Sequence, residues 1–164
     1  MLLLSIHPRF AEAIFDGTKK VELRRRAPKL MAGDEIVVYA TVPTAAVLGK
    51  FTVKSVDSSE LHDLWQVTRK VAAVSSSEFD AYFDGLNRGV GIWIANTQRY
   101  STSVSLTDLR NSIPGFHPPQ GFRYLSADEV KVIENLAKGK KKTTQKVVRS
   151  ISSSVKLASR CTTR

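Results

Sequence analysis

The stretch Gly17-Thr18-Lys19-Lys20-Val21-Glu22-Leu23-Arg24-Arg25-Arg26 decides how the rest of this chain is read. Val21 and Leu23 alternate with charged residues, the period of two that marks a half-buried strand. Five cations and one carboxylate fall within residues 19–26. A solvated charge run has no need of the two apolar residues. The backbone is therefore expected to be half buried, with its charges aimed at an anionic ligand such as a nucleotide or RNA, or forming a small catalytic constellation. Alternation puts Val21 and Leu23 on the core face and Lys20, Glu22, Arg24 and Arg26 on the other, while Lys19 belongs to the preceding turn.

Upstream, residues 2–7 read as a strand. Pro8 suits the first turn of a helix, where a missing N–H costs nothing. Phe10, Ala13 and Ile14 form that helix's apolar stripe, and Gly17 ends it. Downstream, Pro28 and residues 31–34 mark a loop. Residues 35–40 and 46–53 are β-branched strands around a turn at Pro43, and Gly49 signals a bulge or a close backbone approach. Residues 58–71 have helical spacing at Leu61, Leu64, Trp65 and Thr68. Ser75 and Glu78 make a capping box for a second short helix carrying Phe79, Tyr82 and Phe83. Residues 90–95 read as a strand, 106–119 as a loop with a helical turn, and 120–125 as a short strand. Ser126 and Glu129 cap a last helix with Val130, Ile133, Leu136 and Ala137. Short strands interrupted by helices, without regular alternation, predict an α+β fold built as a small mixed β-barrel with flanking helices.

The net charge of +10 is unevenly placed. Residues 138–164 hold nine Lys/Arg and no acidic residue, which leaves residues 1–137 with 16 basic and 15 acidic side chains. The positive field thus comes from one patch in the body and from the tail. One domain over 1–137 and a basic, disordered or weakly helical tail over 138–164 are expected. The tail would make nonspecific contact with polyanions. A single cysteine, Cys161, offers no disulfide framework, and no run approaches a membrane span. A cytoplasmic protein without membrane contact is the expectation. His7, His62 and His117 with one tail cysteine lack metal-ligand spacing, and no Gly-rich phosphate loop is present, so neither a metal nor a cofactor is expected.

The pattern Gly17-x-Lys19-x-x-Glu22-x-Arg24 resembles the signature of the ASCH domains, within the PUA-like superfamily. Its flanks agree: Ser5-Ile6-His7-Pro8-x-x-Ala11 before it, and Gly33-Asp34-x-x-x-x-Tyr39-Ala40 after it. Pro43, Val47-x-Gly49, Leu64-Trp65, Tyr82-Phe83-x-Gly85 and Pro118-Pro119-Gln120-x-Phe122-x-Tyr124-Leu125 resemble the branch described as predicted RNA-binding proteins. The resemblance covers about residues 2–125. It implies a PUA-like barrel with a cleft beside the first helix, where the motif's polar residues gather. Family members have been proposed to bind RNA, and some are reported to be ribonucleases. One branch hydrolyses the amide of N4-acetylcytidine with a lysine and a threonine on this motif and a distant glutamate. Glu22 stands at that threonine's position here, and a carboxylate cannot take over the hydroxyl's proton relay.

Arg24 is suited to clamp a phosphate and Lys19 to neutralise developing charge, with Glu22 accepting from a base or ribose donor. The alternative for this trio is a structural ion pair between same-face neighbours. Cations beside Glu22 favour its ionised form, which suits binding or orienting better than base catalysis. Lys20, Arg25 and Arg26 extend the patch toward backbone phosphates. His7, at the helix start, is a further ligand contact or a plain cap. Tyr39 either stacks on a base or packs in the core. Arg123 and Tyr124 are expected to line the same cleft. The main reading is an RNA- or modified-nucleoside-binding module; a regulatory role in transcription is a further reading. Its alternative is a metal-independent ribonuclease or nucleoside hydrolase using Lys19 with Glu22 or Tyr39.

Overall fold

A computed structural model describes residues 1–26 and 28–139. Of the tail read above over 138–164, residues 140–164 lie outside the described residues. The strands are β1 (Leu2–Ile6), β2 (Val21–Arg24), β3 (Glu35–Ala40), β4 (Ala46–Glu60), β5 (Arg88–Ser105) and β6 (Phe122–Tyr124). The helices are α1 (Pro8–Phe15), α2 (Leu61–Thr68), α3 (Ser76–Phe83), α4 (Leu106–Ser112) and α5 (Ala127–Ala137). The strands form one sheet in the order β2-β5-β4-β3-β1-β6, in which β1 and β3 run parallel and the other neighbours antiparallel. The result is an α+β fold whose curled mixed sheet forms a half-barrel, with β2 and β6 as its two edges.

Alternation along the strands sorts side chains onto two faces. Leu2, Leu4 and Ile6 of β1 and Ile36, Val38 and Ala40 of β3 share an inner core with Ala11 and Ile14 of α1 and with Phe51 and Ile92. Leu3, Val37 and Tyr39 point the other way, against Leu109 of α4 and Ile133 of α5. A third cluster joins Val21 and Leu23 of β2 to Leu64, Phe79 and Phe83 of α2 and α3. Burying each of these larger apolar side chains contributes about 1.5–3 kcal/mol. Strand β2 is therefore covered on both faces: Val21 and Leu23 sit under α2 and α3, and Glu22 pairs in register with Ile92, a residue of the inner core.

Several elements run longer or shorter than their patterns predict. Strand β4 extends seven residues past Val53 to Glu60, and β5 spans 18 residues. The polar stretch Asp57-Ser58-Ser59-Glu60 pairs with Gly91, Val90, Gly89 and Arg88, so backbone hydrogen bonds form a ladder that leaves no hydrophobic period. That pairing also takes residues 58–60 from the predicted helix, which begins at Leu61. Residues 106–112, predicted as one turn in a loop, form α4, where the Ser105 hydroxyl accepts from the Asp108 N–H at 3.1 Å. Gly49 meets both of its expectations. The β4–β5 register shifts between Val47 and Gly49, and a Cβ there would lie 2.3 Å from the Gln98 carbonyl oxygen and 2.8 Å from the Phe15 ring.

Candidate functional site

The turn that delivers the motif is set by Gly17, whose φ of +83° lies in the left-handed region that glycine enters without steric cost. Past it, the Lys19 N–H donates to the Ala13 carbonyl at 2.8 Å and the Lys20 N–H to Val71 at 2.8 Å. These bonds hold the chain against both α1 and the segment after α2 before β2 begins. Lys19 is 2% exposed and is among the largest fully buried side chains of the described residues. Its ammonium donates to the Ala72 carbonyl at 2.6 Å, lies 3.4 Å from Glu22 Oε2, and sits 4.9 Å from the Phe10 ring centroid.

Glu22 links two cations. Its Oε1 forms an ion pair with Arg24 Nη2 at 2.9 Å, and that same nitrogen donates to the Ser5 carbonyl at 2.8 Å. Arg24 thus reaches from β2, one edge of the sheet, to β1, the neighbour of the other edge. Its buried Nε has no hydrogen-bond partner among the described residues. Burial pushes the Lys19 ammonium below the usual lysine range; the Glu22 carboxylate opposes that shift, while Arg24 and Arg9 add to it.

Above this trio opens a cleft of about 660 Å³. The end of β1 (Ser5, Ile6), the start of α1 (His7, Arg9, Phe10), β2 (Glu22, Leu23, Arg24) and α3 (Glu78, Phe79, Tyr82) line it, with Lys19 at its base. His7 is the N-cap of α1; its Nδ1 accepts from the Arg9 N–H at 3.3 Å, which places the neutral ring's proton on Nε2. The lining combines a few polar groups with Phe10, Phe79, Tyr82 and Val74.

Of the residues singled out in the sequence, His7, Lys19, Glu22 and Arg24 come together here. The others stand elsewhere. Lys20 is exposed, its Nζ near Gly17, because regular alternation starts only at Val21. Arg25 donates to the Tyr82 and Asp84 carbonyls, both at 3.1 Å, and so closes the C-terminal end of α3. Arg26 is exposed. Tyr39 is buried on the opposite face of the sheet, among Leu3, Val47 and Leu109, and burial pushes its phenol up. Arg123 pairs with Glu129 at 2.5 Å and lies 4.8 Å above the Phe116 ring, so it fastens α5. Tyr124 is exposed and its hydroxyl donates to the Lys29 carbonyl.

Arg9, Phe10, Glu78 and Tyr82 were not read as site residues. Their signals were present but had local explanations: a helix start at Pro8, a capping box at Ser75 and Glu78, a helical stripe at Tyr82. Only the packing of α3 across from α1 makes them walls of one cleft.

The chain has clear relatives. The ASCH domain-containing ribonuclease of Zymomonas mobilis is 28% identical over 134 residues, which cover 82% of this chain and 90% of that protein. The large ribosomal subunit protein uL22 of Ureaplasma parvum is 27% identical over 124 residues, 76% of this chain but only 39% of that protein. The crystal structure of ASCH from Zymomonas mobilis superposes with a TM-score of 0.78 at 28% identity, covering 82% of this chain and 94% of that one. The ASCH domain model matches residues 4–154, nearly the whole length over which the turn, the charged strand and the cleft are built, and the chain belongs to the ASCH domain family of the PUA-like superfamily.

Proposed function

We propose that this protein is a ribonuclease that cleaves RNA in the cleft above Lys19, Glu22 and Arg24. The observation that carries the reading is the arrangement of these groups. A carboxylate held between a buried ammonium and a guanidinium lies in a cleft that His7 also lines. The likeness to a Zymomonas mobilis protein named as a ribonuclease, over 90% of that protein's length, supports it.

Cleavage of RNA by its own 2′-hydroxyl needs a proton acceptor for that hydroxyl, positive charge around the phosphorus, and a proton donor for the departing 5′-oxygen. The bond from the 2′-oxygen to phosphorus forms as the bond from phosphorus to the 5′-oxygen breaks, leaving a 2′,3′-cyclic phosphate. Arg24 is suited to the non-bridging oxygens, since its Nε has no partner among the described residues and its planar fork matches a phosphate. Glu22 is assigned as the acceptor of the 2′-hydroxyl proton and water as the proton donor to the departing 5′-oxygen, while the His7 Nε2–H donates a hydrogen bond to a non-bridging phosphate oxygen. Lys19 orients Glu22 from below through their 3.4 Å ion pair, and Glu22 returns the accepted proton to solvent after the step. The nucleic-acid-binding reading is contained in this one, because the same cations would hold the phosphate.

The test is a 5′-labelled single-stranded RNA incubated with pure protein in excess chelator. Expected products carry 2′,3′-cyclic phosphate ends, and a 2′-deoxy substitution at the cut site blocks them. Arg24→Gln should lower kcat/KM by about 10²- to 10³-fold, as loss of one charge-stabilising donor does. RNA that is bound but never cut would reduce the protein to a binding module.

A further inference from the structure

One ion pair spans the mouth of the cleft and has no part in the chemistry above. Arg9 on α1 and Glu78 on α3 meet at 2.5 Å, and both line the cleft that holds Arg24. Arg9 also lies 4.4 Å above the centroid of the Phe10 ring. Its guanidinium is thus positioned over the cleft by an aromatic face on one side and a carboxylate on the other.

Glu78 already has a structural duty that does not need Arg9. Its Oε2 accepts from the Ser75 N–H at 2.8 Å while the Ser75 hydroxyl accepts from the Glu78 N–H at 3.3 Å, a complete capping box. A glutamine satisfies that box equally well. What the glutamate adds is the second, charged oxygen, Oε1, and that oxygen is the one bound to Arg9.

The pair is exposed, 55% on the Arg9 side and 43% on the Glu78 side. Exposed pairs of this kind contribute little to stability, so they exchange readily for an anion that other contacts also hold in place. Backbone phosphates of a nucleic acid are such anions, and arginine binds them through its fork.

We propose that Arg9 is a second phosphate-binding residue of the cleft and that Glu78 occupies it as a built-in phosphate mimic, which an entering strand must displace. Arg24 then takes the phosphate at the base of the cleft and Arg9 a neighbouring phosphate at its mouth, so the ligand class is a single strand carrying at least two successive phosphodiesters. The carboxylate acts as a filter. It holds off weak anions and single phosphates, and yields to a strand that engages both arginines together. This proposal rests on the reading of the cleft as a nucleic-acid site, but not on cleavage.

The experiment measures binding of a fully 2′-deoxy, labelled single-stranded oligonucleotide by fluorescence anisotropy, so that turnover plays no part. Glu78→Gln, which keeps the capping box, should tighten binding about two- to fivefold, the scale of one exposed ion pair. Arg9→Gln should weaken binding and lower the slope of log K against log salt by about one. In the Arg9→Gln background, Glu78→Gln should change nothing beyond the effect of Asp80→Asn, an exposed charge on the same helix that does not line the cleft. Equal affinity of wild type and Glu78→Gln, or a gain that persists without Arg9, overturns the mimic while leaving the nucleic-acid reading intact. A wild-type protein that binds no strand overturns both.

Discussion

Lys19 and Glu22 form an ion pair at 3.4 Å in which both side chains are more than nine-tenths buried. Taking two charges out of water costs several kcal/mol each, and mutual attraction offsets that cost only when further hydrogen bonds satisfy both partners. Here Lys19 donates to the Ala72 carbonyl, and the Arg24 guanidinium pairs with Glu22 at 2.9 Å as a second counter-charge. The arrangement joins three parts of the chain, namely the turn after α1, strand β2 and the segment between α2 and α3.

Glu22→Ala should therefore destabilise the fold by about 3–5 kcal/mol, because it leaves a buried ammonium without its counter-charge. Glu22→Gln, which keeps the shape and an acceptor oxygen, should cost less. Urea unfolding of both variants checks the order. An alanine variant as stable as wild type would show that Lys19 finds another partner or deprotonates freely.

One nitrogen of Arg24 makes both contacts: Nη2 donates to the Ser5 carbonyl and pairs electrostatically with Glu22. Lysine retains the charge but not the planar fork. Arg24→Lys is expected to lose at least tenfold in RNA cleavage while shifting the thermal midpoint only slightly. A variant with full activity would mean that charge alone suffices there.

Acid should weaken the fold through Glu78, whose carboxyl is drawn from 4.5 down to about 2, chiefly by the Ser75 N–H and then by Arg9. Glu12, Asp16 and Glu129 are lowered as well, by Arg99, by Thr18, and by Ser126 with Arg123, respectively. A depressed folded-state pKa gives stability that is present above the unfolded value and lost as pH falls through the folded one. Stability should thus decline from about pH 4.5 toward pH 2, and Glu78→Gln should flatten that decline. Denaturant titrations across this range measure it; an unchanged slope in the variant would assign the acid sensitivity to the other carboxylates.

Gly49 is fixed by space. A methyl group there would press on the Gln98 carbonyl and the Phe15 ring, and the former is backbone that cannot rotate away. Gly49→Ala should cost about 1–3 kcal/mol, as overpacking of a filled site does. Chemical denaturation gives the number, and a neutral result would show that β4 and β5 separate there without penalty.

The sequence determined the local elements and the motif. The apolar stripe from Phe10 to Ile14, the glycine stop at Gly17, the capping boxes at Ser75 and Ser126 and the alternation of Val21 with Leu23 are short-range signals, and each resides in a few neighbouring residues. Lys19, Glu22 and Arg24 were legible as a group because turn and strand geometry hold them close together. Long-range pairing decided the rest. Residues 57–60, all polar, become strand only because β5 supplies a backbone ladder beside them, and α4 closes on a core that its own sequence does not announce. Tyr39, Arg25 and Arg123 carry the same chemistry in sequence as the cleft residues, yet which sheet face or helix end receives each one depends on packing. Likewise, Arg9 and Glu78 lie 69 residues apart, and only the folding of α3 against α1 turns a helix start and a helix cap into the two sides of one mouth.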